Sequence, residues 1–234
     1  MPGKTHGCVA GHFLLCPVHT RGMAIDSLLQ APTRCIAHAD YLRERWRNGL
    51  GWTREILRLP AQGSDWVLRL SIAEIECDAA FSTFDGVERE LVLLQGEGVR
   101  LRFADGAVSE VLPPYGRVRF AGEAPVHGEL VDGVTHDFNL MWRRDVLDAQ
   151  LLHRPLVGPM HFFTEPRVAW AIHLLAGQAA FEAGTGLPPL AAGDTAWLAA
   201  GERRRYSLDG GGELLAIRLA AAPCARGAVE PSGR

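Results

Sequence analysis

From Trp66 the side chains alternate with a period of two. Trp66, Leu68, Leu70 and Ile72 fall on one side, and Val67, Arg69, Ser71 and Ala73 on the other. That period belongs to a β-strand with two distinct faces. Similar short runs recur at Leu91 to Leu94, Val99 to Phe103, Val118 to Phe120, Trp170 to Ala176, Arg205 to Leu208 and Glu213 to Leu219. Asp85-Gly86, Asp105-Gly106, Pro113-Pro114 and Pro188-Pro189 punctuate them as turns. Helical periodicity is confined to a turn or two expected between His38 and Trp46. Many short strands at this spacing predict an all-β sandwich or barrel.

The two halves are weakly alike. Leu93-Leu94-Gln95-Gly96 is echoed by Leu174-Leu175-Ala176-Gly177, each an apolar run closed by glycine. This suggests a duplicated β-barrel unit. A division follows from it: an unstructured extension over 1–24, a first barrel over 25–135, a second over 136–222, and a frayed tail over 223–234.

Net charge is -3 over 234 residues, so nothing marks the chain for nucleic acid or an anionic membrane. No apolar run reaches the roughly 20 residues that span a bilayer. The five cysteines lack framework spacing, which points to a reducing, cytoplasmic setting. Cys8, His12, Cys16 and His19 have zinc-ligand chemistry but fit no known zinc module, and the segment offers almost no core around a metal.

The densest polar stretch is Trp46-Arg47-Asn48-Gly49-Leu50-Gly51-Trp52-Thr53-Arg54-Glu55. If a strand begins after Gly51, Thr53 and Glu55 share one face and Arg54 takes the other. Further blocks follow in order: Arg69-x-Ser71-x-Ala73-Glu74, Phe81-Ser82-x-Phe84-x-Gly86-x-x-Arg89, Leu94-x-Gly96-x-Gly98, Phe120-x-Gly122 and Asp137-Phe138-Asn139-x-Met141-x-x-Arg144. Together they resemble the HutD/Ves family of bacterial cupin-fold proteins over about residues 46–144, with a cupin-like pattern continuing to about 220. The resemblance implies a cupin-like double barrel (bicupin) with few short helices. It also implies an association with bacterial histidine utilisation and regulatory ligand binding. Leu68 departs from the family pattern, which would place an aromatic there.

Catalytic signatures are missing. His127, His136, His153, His161 and His173 stand apart, with no His-x-His pair, and no cofactor or metal is expected. There is no G-x-S-x-G elbow or phosphate loop. What remains is a recognition inventory. Arg54, Arg69, Arg89 and Arg143 can fork onto a carboxylate. Asn48, Asn139, Thr53 and Ser71 offer neutral hydrogen bonds, and Glu55, Glu74 and Asp137 accept from N–H groups. Phe81 and Phe120 provide walls. The ligand expected is a small anionic nitrogen compound of the urocanate or formiminoglutamate type, bound by a monomer or homodimer. Two rival readings stand beside this one. The first is a metal-independent isomerase or hydrolase using Glu55 or Glu74 as general base. The second is a structural protein with a vestigial pocket.

Overall fold

The computed structural model describes residues 25–63 and 65–222. The expected extension, its zinc-like spacing and the expected tail lie outside those residues. A helical turn over 25–29 leads into β1 (Arg34–Ile36) and a 3-10 turn (His38–Asp40). The strands of the first lobe follow: β2 (Leu42–Arg45), β3 (Gly51–Leu59), β4 (Leu68–Ile75), β5 (Ala79–Ala80), β6 (Val87–Gln95), β7 (Val99–Phe103), β8 (Val108–Val111), β9 (Arg117–Ala121), β10 (Val126–Leu130) and β11 (Thr135–Arg143). The remainder are β12 (Leu147–Val157), β13 (Met160–Thr164), β14 (Val168–Phe181), β15 (Leu190–Ala191), β16 (Thr195–Leu198) and β17 (Arg204–Ala221). The stretch after His38 was expected to be helical; beyond Asp40 it becomes the strand β2 instead. Pairing with β3 across the tight turn at Asn48-Gly49 decides this, because it supplies ladder partners for Leu42 to Arg45.

Three open antiparallel sheets carry the fold. The first lobe stacks β2-β3-β4-β11-β6-β9 on β5-β10-β7-β8, and the second wraps a seven-stranded sheet ordered β1-β16-β14-β17-β12, with β13 on β17 and β15 on β14. The architecture is all-β and cupin-like, with its sheets left open rather than closed into barrels. The division expected after residue 135 falls one strand early. β11 lies between β4 and β6, so the first lobe keeps its partner strand through Arg143. In return, β1 crosses to the second lobe and pairs with β16.

Alternation along β4 explains how the lobes join. Leu68, Leu70 and Ile72 enter the largest core, with Phe138, Leu140 and Trp142 of β11. Leu215, Ile217 and Leu219 of β17 meet them from the other lobe. These side chains are almost fully buried, each worth about 1.5–3 kcal/mol on removal from water. The alternate residues of the same strands, Arg69, Ser71 and Asn139, face away from that core and into the first lobe.

Candidate functional site

The first lobe holds a cavity of about 630 Å3 between its two sheets, within the range of small-molecule sites. Its floor is built by register. Asn139 of β11 sits opposite Ser71 of β4 and Leu91 of β6, and Met141 sits opposite Arg69 and Arg89. The period of two then puts Arg69, Ser71, Ala73, Arg89 and Asn139 on one wall. The Trp46–Thr53 stretch forms the mouth. Asn48 Oδ1 accepts from the Leu50 amide at 3.0 Å, closing the turn, and Trp46 Nε1 donates to Thr53 Oγ1 at 2.9 Å. Gly51 is required there, because a Cβ would lie 2.4 Å from the Glu74 carbonyl oxygen.

Arg89 is the centre of the site. Its side chain is buried, and the residue is 7% exposed. Its Nη2 donates to Asn139 Oδ1 at 3.1 Å and its Nη1 to the Ser82 carbonyl at 3.3 Å. Phe81, Phe120 and Phe84 surround the guanidinium at 5.2, 5.0 and 6.0 Å from their ring centroids. No carboxylate pairs with it among the described residues, and its buried Nε lacks a hydrogen-bond partner. Burial, and then the nearby charge of Arg69, push its pKa down to about 10, so it stays a cation at neutral pH. Arg69 is partly balanced, with its Nε donating to Glu55 Oε2 at 3.0 Å. The cavity lining carries four arginines (Arg45, Arg47, Arg69, Arg89) against one glutamate, Glu44.

The structure brings Asn48, Thr53, Arg69, Ser71, Phe81, Arg89 and Asn139 to this cavity. Glu55 stands behind it as the partner of Arg69, and Phe120 lies under Arg89. Asp137 shares the face of Asn139, opposite Ala73, but is fully enclosed and does not line the cavity; it accepts from Thr135 Oγ1 at 2.9 Å while its Oδ1 has no partner. Burial raises its pKa to about 7 against the Thr135 hydrogen bond. Three residues go elsewhere. Arg54 and Glu74 occupy the opposite face of the sheet, where they form an ion pair at 2.6 Å. Glu74 also pairs with Arg43 at 2.6 Å. Arg143 ends β11 beside Asp145 at 3.5 Å, against Gly86. Sequence reasoning missed Glu44, Arg45 and Met141 as lining residues. The β2–β3 hairpin at Asn48-Gly49 was the available signal for the first two.

Among the described residues no group of three or more His, Cys, Asp or Glu is placed to hold a metal ion. No helix among them is long and apolar enough to cross a membrane.

Comparison with known proteins decides the family. The HutD family model matches residues 38–216. The chain belongs to the HutD family. A 21.2 kDa protein encoded in the hutC 3′ region of Pseudomonas putida is 45% identical over 106 residues, covering 44% of this chain and 54% of that protein. Protein Ves of Cronobacter sakazakii is 43% identical over 107 residues, covering 45% and 58%. The matched segments thus span a little over half the length of these relatives. HutD from Pseudomonas fluorescens SBW25 superposes with a TM-score of 0.70 at 27% identity, over 82% of this chain and 100% of that one. A conserved protein of unknown function from Pseudomonas aeruginosa PAO1 gives 0.73 at 29%, with the same coverage. The nickel-bound pirin YhhW of Escherichia coli is 11% identical with a TM-score of 0.59, over 82% of this chain and 100% of that one. That likeness shows the shared cupin-like fold alone.

Proposed function

We propose that this HutD-family chain binds a small carboxylate-bearing nitrogen compound in the first-lobe cavity, and acts as a sensor or buffer of a histidine-utilisation intermediate. Arg89 carries the reading. A buried guanidinium without a carboxylate is costly, and a bidentate ligand carboxylate supplies the missing charge and acceptors. Arg69, one wall position away, adds to the positive field. The aromatic collar suits a flat ligand body, and Ser71, Thr53 and Asn48 offer neutral contacts to its nitrogen end. The hutC-region relative supports the pathway, and urocanate or formiminoglutamate fits the required chemistry. Glu55 and Glu74, the carboxylates best suited by sequence to base catalysis, are both committed to arginines, which supports binding over turnover. Regulation would act through ligand capture or a protein partner in the cytoplasm.

Calorimetric titration of the full chain with urocanate and with formiminoglutamate tests this. Saturable binding of one of them, weakened in Arg69→Ala, is the expected result. Absence of binding by both to the unmodified protein would remove the proposal.

A further inference from the structure

A second cavity, of about 260 Å3, opens between the lobes on the other face of the six-stranded sheet. Leu94 and Leu175 line it, one from each lobe. Each is the extra residue of a β-bulge. The β11–β6 ladder steps from His136↔Gln95 to Asp137↔Leu93 and skips Leu94. The β14–β17 ladder steps from Leu174↔Leu214 to Ala176↔Glu213 and skips Leu175. These are the echoed positions of the two halves, so each half places one re-aimed side chain against the same space.

A hydrogen-bond chain with a single allowed direction ends at this cavity. Tyr41 Oη lies 2.6 Å from the Gly193 carbonyl, so the phenol must donate to it. Tyr41 Oη is also 2.7 Å from Thr195 Oγ1, so that proton comes from Thr195. Thr195 Oγ1 is 2.9 Å from His173 Nδ1, so it accepts from Nδ1–H. His173 is therefore held as the Nδ1–H tautomer, with a bare Nε2 lone pair. The residue is 2% exposed and lines the cavity. Its Nε2 makes no hydrogen bond to a described residue, and the His173 side chain lines the cavity. Burial lowers the His173 pKa to about 4, against the weak pull of Asp194, and keeps the ring neutral.

Arg54 supplies the complementary group. Its Nε lies 2.6 Å from Glu74 Oε1, but the N–H points aside, and its terminal nitrogens make no hydrogen bond to a described residue. Glu74 is shared with Arg43, leaving two arginines on one carboxylate.

We propose that this cavity is a second ligand site. It takes a small acid that carries an O–H or N–H donor beside its carboxylate, with the donor on His173 Nε2 and the carboxylate on Arg54. The volume lies just below the ~300–1,000 Å3 of drug-sized pockets, which restricts it to small metabolites. The site stands independently of the first-lobe cavity, because the two share no lining residue.

Nitrogen-15 NMR of the His173 imidazole in the full chain tests it, since that signal reports this cavity. The free protein is expected to show the Nδ1–H tautomer. Two matched pairs are titrated: pyrrole-2-carboxylate against furan-2-carboxylate, and lactate against propionate. The donor-bearing member of at least one pair should shift the Nε2 resonance saturably and bind about tenfold tighter than its partner, as expected for one hydrogen bond to a desolvated acceptor. Arg54→Met and Thr195→Val should abolish that preference. An Nε2–H tautomer in the unmodified chain, equal affinity within both pairs, or no saturable shift at millimolar concentration would overturn the assignment.

Discussion

Arg89 of β6 and Asn139 of β11 meet inside the first lobe at 3.1 Å, a neutral amide oxygen serving where a carboxylate would ordinarily stand. Asn139 is itself held, because its Nδ2 donates to the Asp137 carbonyl at 3.2 Å. The pair leaves a full positive charge beside open cavity space, and the proposed binding of a carboxylate rests on that charge.

Replacing that cation separates stability from binding. Arg89→Met removes a buried charge and keeps a similar shape. Loss of the Asn139 partner costs about 1 kcal/mol, which relief of burial offsets. Urea unfolding is expected to show stability within about 1 kcal/mol of the parent. Calorimetry is expected to show ligand affinity lowered about 100-fold or more, the cost of a charge-assisted bidentate contact.

Glu55 pairs with Arg69 at 3.0 Å, so under the proposed reading it would compete with a ligand carboxylate for that guanidinium. Glu55→Gln frees that guanidinium and should tighten carboxylate binding severalfold, more so at low salt. A general-base role predicts something else: turnover of a pathway intermediate, lost in the same variant. Titration and a turnover assay on one preparation separate the two.

Two buried groups tilt stability with pH in opposite directions. Asp137 is raised from 3.8 to about 7 by burial, so the folded state holds its proton more tightly. Its contribution is full below pH 3.8 and is lost as pH rises through 7, by on the order of 4 kcal/mol at most. His173 is lowered from 6.5 to about 4. Its contribution is full above 6.5 and is lost as pH falls through 4, by on the order of 3 kcal/mol at most. Relative to the parent, Asp137→Asn should lose stability as pH falls from 6.5 to 4, and His173→Gln should gain it. Denaturant unfolding across that range measures both slopes, and unchanged slopes in both variants would contradict the burial described.

The hairpin at the cavity mouth makes unequal demands on its two glycines. Gly49 has φ of 73° with open space around it, so Gly49→Ala costs only the left-handed conformation, about 1 kcal/mol. Gly51→Ala drives a Cβ into the Glu74 carbonyl and toward the Trp46 ring. It should destabilise by more than about 2 kcal/mol and loosen the mouth. Thermal unfolding of the two variants, compared directly, gives the ordering.

Much of the fold was legible because it is written in local periods. The alternation at Arg69, Ser71 and Ala73 correctly anticipated a wall distinct from Leu68, Leu70 and Ile72. The split of Thr53 from Arg54 was visible for the same reason. Glu74 and Arg143 were harder to place. Glu74 belongs by parity to the other face, but chemical type alone made it look like a wall residue. Arg143 lies at a strand end, where it pairs with Asp145 at 3.5 Å. The mouth residues Glu44 and Arg45 were obscured by an apparent helical turn that strand pairing overrides.

By itself the amino-acid sequence determined that the chain is built of short two-faced strands, which side chains share a face, and where glycine and proline turn the chain. Those are properties of neighbours, set by backbone geometry. Tertiary structure alone decided that Arg89 would face Asn139 instead of a carboxylate. It also decided that Tyr41, Thr195 and His173 would align into a one-way chain, and that Leu94 and Leu175 would bulge into one space. Each of these depends on the register between strands far apart in sequence, and a shift of one residue would turn every one of those groups to the opposite face.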